Sequence, residues 1–168
     1  MGLLVFRMLK CTRLRYGLEL LVDVGEGQQG VNVRKIEKVH KKSMQAALGW
    51  GASKRMTIEE LREKTCQPSV FEIALTATCN QAWKCGQDWE GHPLTKGRLR
   101  GNHSLHSTRQ GTQRQYPPQQ LPGSLVHRMI ELWEKLPIDI KQEKNEVQAK
   151  KKIKAWSKTR STERLFKL

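Results

Sequence analysis

Carboxylates are scattered in this sequence. Its three aspartates, Asp23, Asp88 and Asp139, stand far apart among 168 residues, and no two adjoin. Two divalent ions held a few ångströms apart need clustered carboxylates, so a two-metal phosphoryl-transfer centre has no visible ligand set. No nucleophile is paired with a positioned base in a recognisable motif either. The expectation is a non-catalytic chain with no cofactor, and its function has to be argued from charge and shape.

Cysteine is equally sparse. Cys11, Cys66, Cys79 and Cys85 lie in a chain with no secretory cleavage pattern, so reduced thiols are expected. His92, His103 and His106 follow the last two. Five residues separate Cys79 from Cys85 and two separate His103 from His106, whereas a zinc finger uses gaps of about two to four and three to five. Unpaired thiols and surface histidines are the expected state, and no metal site is assigned.

No apolar run approaches the ~20 residues that span a bilayer. Residues 1–18 carry Leu3, Leu4, Phe6, Met8, Leu9, Leu14 and Leu18, but Arg7, Lys10, Arg13 and Arg15 interrupt them and no acid is present. That balance is the one found in mitochondrial presequences, without their serines. An ordinary basic N-terminal strand or helix accounts for it more simply. Gly2 has Phe6 where N-myristoylation uses Ser or Thr.

What the chain does have is positive charge, and it comes in blocks. The net charge of +15 divides into +4 over residues 1–18, balance over 19–90, +5 over 91–116, −1 over 117–140 and +7 over 141–168. Basic arms around a modest folded part are the natural reading, and RNA, DNA or an acidic membrane would suit them as partners. Nucleus or cytoplasm is the expected location, with the mitochondrion as the alternative.

In the first half, Leu18, Leu20, Val22 and Val24 alternate with Glu19, Leu21 and Asp23, which predicts a strand, and Val31, Val33 and Lys35 are placed on its hairpin partner. The loop between them contains Gly25, Gly27 and Gly30 in Gly-x-Gly-x-x-Gly spacing. A dinucleotide site would need a helix opening after it and an acid about 20 residues on. Val31-Asn32-Val33 opens a helix poorly, and Ser53-Lys54-Arg55 stands where the acid belongs. Ile36 to Leu48 turns helical around a His40-Lys41-Lys42 knot. Thr57-Ile58-Glu59-Glu60 is a capping box with Met56 stapled to Leu61, predicting a helix to about Lys64. Ser69 to Cys79, with Val70, Phe71, Ile73, Leu75 and Ala77 in near alternation, reads as another strand, although a short apolar helix fits too. Trp83 and Trp89 follow among polar residues, where core anchoring is commoner than stacking on bases.

Residues 91–123 lose nearly every apolar side chain and contain no acid, so they are expected to form a disordered basic linker. Arg98, Arg100, Arg109 and Arg114 there suit phosphates without reading bases.

The tail, residues 124–168, is the most organised stretch. Leu125, Met129, Leu132, Trp133 and Leu136 share one helical stripe, with Arg128, Glu131, Glu134 and Lys135 turned away. Ser124 is placed to cap it, and Pro137 ends it at Leu136. Asp139 or Asn145 is placed to restart a helix, on which Lys150, Lys151, Lys152 and Lys154 crowd about one and a half turns. Ala149, Ile153 and Trp156 share a face of that helix.

Arg128-Met129-Ile130-Glu131-Leu132-Trp133-Glu134-Lys135-Leu136-Pro137-Ile138-Asp139-Ile140 resembles the C-terminal end of non-LTR (LINE-type) retrotransposon reverse-transcriptase polyproteins, over residues 124–156. In that family a Trp-x-x-Leu-Pro-x-x-Val/Ile box is followed by Phe-Lys-x-x-Leu. Here Ala149-Lys150-Lys151-Lys152-Ile153 takes that place, with Ala149 at the Phe position. The resemblance implies an origin and brings no active-site residue, because the matched part lies beyond the family's catalytic core.

The combined expectation is a weakly packed α+β chain. It divides into a mixed strand-and-helix region (1–90), the linker (91–123) and a helical basic tail (124–168). The expected function is non-specific nucleic-acid binding by a retrotransposon-like fragment, through Lys150, Lys151, Lys152, Lys154, Arg98 and Arg100. The alternative is a small basic interaction protein docking a protein partner through Leu132, Trp133 and Leu136.

Overall fold

The structure is a computed structural model of the chain, described at residues 17–22, 30–88 and 124–162. Among these residues the secondary structure is helical throughout, with no strand, which corrects the α+β expectation. The helices, in chain order, are α1 Leu18–Leu21, α2 Val31–Leu48, α3 Trp50–Ser53, α4 Ile58–Thr65, α5 Val70–Gln87, α6 Leu125–Lys135, α7 Ile138–Lys141 and α8 Glu146–Thr162. The presequence-like start up to residue 16, most of the glycine motif, residues 91–123 with Arg98 and Arg100, and His92, His103 and His106 all lie outside the described residues.

The centre is α5, whose opening has the pattern of a strand. That near alternation is a fragment of a wider helical stripe: Val70, Phe71, Ala74, Leu75, Thr78, Cys79, Ala82 and Trp83 are buried at helical spacing. Ile73 and Cys85 are buried too, so apolar residues surround most of the axis and the 3.6-residue period is blurred. Ser69 starts the helix by accepting from the Glu72 amide at 3.0 Å. Against α5 pack α1, α2, α6, α7 and α8, and one continuous core runs from Leu18 to Ile153.

The expected hairpin is absent among the described residues. Leu18 and Val22 are both buried, four residues apart as a helical turn requires, whereas Leu20 and Leu21 are exposed. Val33, His40 and Met44 are buried and Ile36 half-buried on the inner face of α2, so the helix begins five residues before the predicted Ile36. Val39, next to the buried His40, faces outward. Met44 also forms a smaller core with Leu61, flanked by Ala47, Leu48, Met56 and Ile58. Glu37 fastens this layer. Its carboxylate accepts from Arg62 of α4 at 2.7 Å and from the Val70 amide at the start of α5 at 3.0 Å.

The punctuation expected from the sequence is present. Thr57 and Glu60 close their capping box at 3.3 and 2.8 Å. Ser124 caps α6 through the His127 amide at 3.2 Å, and Leu136, ahead of Pro137, turns extended. Asn145 caps α8 through the Val147 and Gln148 amides at 2.9 and 3.3 Å. The α6 stripe lies as predicted but is wider, because Val126 and Ile130 are also buried. Arg128, expected to face solvent, is buried as well. Its guanidinium donates to the Val22 carbonyl, tying α6 to α1.

Candidate nucleic-acid interface

The helix α8 turns Ala149, Ile153 and Ser157 into the core, with Trp156 half-buried beside them. Ala149 stands where the resembling family has Phe, yet α8 docks fully on α5, because the small side chain lets the helices approach closely.

That docking sorts the lysines. Lys150 forms a 2.7 Å ion pair with Glu146, which Lys84 of α5 also approaches at 3.4 Å. Lys152 reaches back to Glu143 at 2.8 Å and to the Asp139 carbonyl at 3.3 Å. The hydrogen bond from Lys152 holds the Glu143 carboxyl below its ordinary range, and Lys150 does the same for Glu146. Lys151, Lys154 and Lys158 have no carboxylate within ion-pair distance among the described residues, and all three are exposed. Their spacing of three and four places them on one face. Lys158 was missed by sequence reasoning because it lies outside the visible lysine run; helical phase would have found it. Lys154 and Lys158 act electrostatically on Glu72 of α5, whose carboxyl is raised by burial against the pull of Lys158, Lys154 and Arg62.

A second cationic face lies on α2. Lys35, Lys38 and Lys42 stand opposite the buried Val33, His40 and Met44, and they too lack an ionic partner among the described residues. The strand assignment for residues 31–35 conceals this stripe, since it joins up only when Lys35 is helical.

The residues expected to dock a partner are used inside the chain. Leu132 and Leu136 are buried in the main core, and Trp133 packs on Gly86 of α5 with the Lys141 ammonium 5.8 Å from its ring centroid. Trp83 likewise is a core anchor, its indole N–H donating to the Ile140 carbonyl at 3.0 Å.

Among the described residues no group of three or more His, Cys, Asp or Glu is placed to hold a metal ion. The buried Cys79 thiol is pushed up by desolvation against a hydrogen bond involving Ser157, and Cys85 is pushed up by burial to about 11. Neither is a thiolate at neutral pH. No helix among the described residues is long and apolar enough to cross a membrane. No protein-family model matches the sequence, and comparison with curated proteins and with solved structures finds no match.

Proposed function

We propose that this chain is a non-catalytic, small basic protein, similar in its tail to a retrotransposon-derived fragment, that binds nucleic acid without sequence preference. The observation that carries this reading is the outward face of α8, where Lys151, Lys154 and Lys158 are exposed and, among the described residues, no carboxylate lies within ion-pair distance of them. Like charges held at one-turn spacing repel one another, and a polyanion relieves that repulsion while releasing condensed counterions. Phosphate contacts of this kind position a protein on a strand without reading bases. The tail-docking alternative draws less support, because Leu132 and Leu136 would have to leave the core to meet a partner.

The test is binding of an arbitrary DNA duplex by the wild-type chain and by a Lys151→Gln/Lys154→Gln/Lys158→Gln variant across a salt series. The variant should flatten the slope of log affinity against log salt by up to ~2.7, about 0.9 for each phosphate no longer neutralised. Lys150→Gln/Lys152→Gln should have a smaller effect, since those ammonium groups are already paired. An unchanged slope in the triple variant would remove α8 from the interface.

A further inference from the structure

Trp50 is the most conspicuous side chain that this reading leaves unused. It is 56% exposed, whereas Trp83 is buried and Trp133 and Trp156 are partly buried against the core. Its backbone, by contrast, is tightly held. Gly49, at φ 91°, breaks from α2 in a conformation that side chains rarely adopt, and α3 begins at once with Trp50. The buried Ser53 hydroxyl donates toward the carbonyls of Gly49 at 2.7 Å and Gln45 at 3.0 Å, and the Gln45 side-chain amide donates to the Ser53 carbonyl at 3.3 Å. The Lys54 amide closes the turn on the Trp50 carbonyl at 3.1 Å. The indole is carried on a hydrogen-bonded turn anchored by the buried Ser53, so its backbone is pre-organised and less ordering entropy is lost when something stacks on it.

The chain on both sides of it is cationic. From residue 38 to residue 58 the chain contains Lys38, Lys41, Lys42, Lys54 and Arg55 and no acid. Lys54 retains helical dihedrals four residues after Trp50, and so sits one turn along on the same side. Lys38 and Lys42 lie on the outward face of the helix that leads into the turn.

We infer that Trp50 is a stacking platform for an unpaired base, with Lys38, Lys42, Lys54 and Arg55 holding the flanking phosphates, so that the α2–α3 corner selects single-stranded over duplex nucleic acid. One aromatic face is sufficient to stack a base. It is a small area on which to seat the chain on a membrane, because interfacial binding scales with buried apolar area and the neighbouring side chains add only Val39 on the outward face of α2 and the methyl groups of Ala46 and Ala52. A base inside a duplex is already stacked and unavailable to the indole. The inference rests on the nucleic-acid reading but concerns a different surface from α8.

The experiment measures anisotropy of a labelled 12-nucleotide oligo(dT) and of a labelled duplex with the full chain, alongside anionic phosphatidylserine vesicles. Trp50→Ala should weaken oligo(dT) binding about 5- to 100-fold, as removal of one stacked base does, and leave duplex affinity and the salt slope unchanged. Trp50→Phe should restore most of that affinity. Since the indole is exposed, the helical circular dichroism of both variants should match wild type. If oligo(dT) binds Trp50→Ala as tightly as wild type while the α8 triple variant still flattens the salt slope, the stacking site is refuted and the general reading survives. If the wild-type chain binds neither nucleic acid, both fall. Vesicle binding that depends on Trp50, without such dependence for oligo(dT), would overturn the inference in favour of a lipid surface.

Discussion

The ring of Trp133 on α6 fills the space into which a side chain at Gly86 of α5 would project. The indole lies directly against the α5 backbone there, and Lys141 lies over its ring from α7. Gly86→Ala should therefore lower stability by ~1–3 kcal/mol through overpacking, even though alanine is the better helix former. In a Trp133→Ala background the same change should become neutral or stabilising. Urea midpoints of the four chains in this double-mutant cycle would check it, and additive effects would show that the two residues do not meet.

Glu37 makes stability depend on pH. Burial, the largest single influence, raises its carboxyl, but His40, Arg62 and the Val70 amide together outweigh it and hold the group below the ordinary glutamate value. A depressed folded-state pKa contributes stability that is present above the unfolded value of about 4.3 and is lost as pH falls through the folded value. Glu72 has the opposite sign: its raised carboxyl costs stability at neutral pH, and protonation relieves that cost on acidification. Glu37→Gln should lower the neutral-pH melting temperature and make the acid decline shallower, whereas Glu72→Gln should raise the neutral-pH value. Melting curves between neutral pH and about pH 3 would check both signs.

Cys66 ends α4 in the left-handed region, at φ 52° and ψ 41°, and its side chain is exposed to solvent. Its amide reaches the Arg62 and Glu63 carbonyls, and the Gln67 amide returns to Arg62 at 3.0 Å, so the conformation is required by the cap. Cys66→Gly should stabilise the chain by up to ~1 kcal/mol, the relieved left-handed strain less the greater entropy of unfolded glycine. Cys66→Val should destabilise it. Thermal denaturation of both would establish the order.

Ala149→Phe would restore the aromatic that the resembling family carries at this place. Ala149 has no exposed surface, and α8 lies directly on α5. The substitution should cost ~1–3 kcal/mol or displace the helix. A reduced urea midpoint with an unchanged denaturant slope would indicate strain within the same fold, whereas a changed slope would indicate that α8 had left the core.

Local signals are legible without a structure because their chemistry is contained within a few residues. Ser124, Thr57, Asn145 and Pro137 begin or end helices where their side chains or ring demand it, and the α6 stripe can be read from spacing alone. Tertiary structure decided the rest. Val70 to Ala77 alternates like a strand over eight residues, and only the helices packed around most of α5 show that its apolar residues surround an axis. Leu18 and Val31 pass for strand residues because short apolar runs fit both periods. Likewise, sequence can count the lysines at 150, 151, 152 and 154, but which of them remain unpaired depends on where Glu143 and Glu146 stand when Ala149 and Ile153 enter the core. Charge is a property of composition; its availability is set by which face the core consumes.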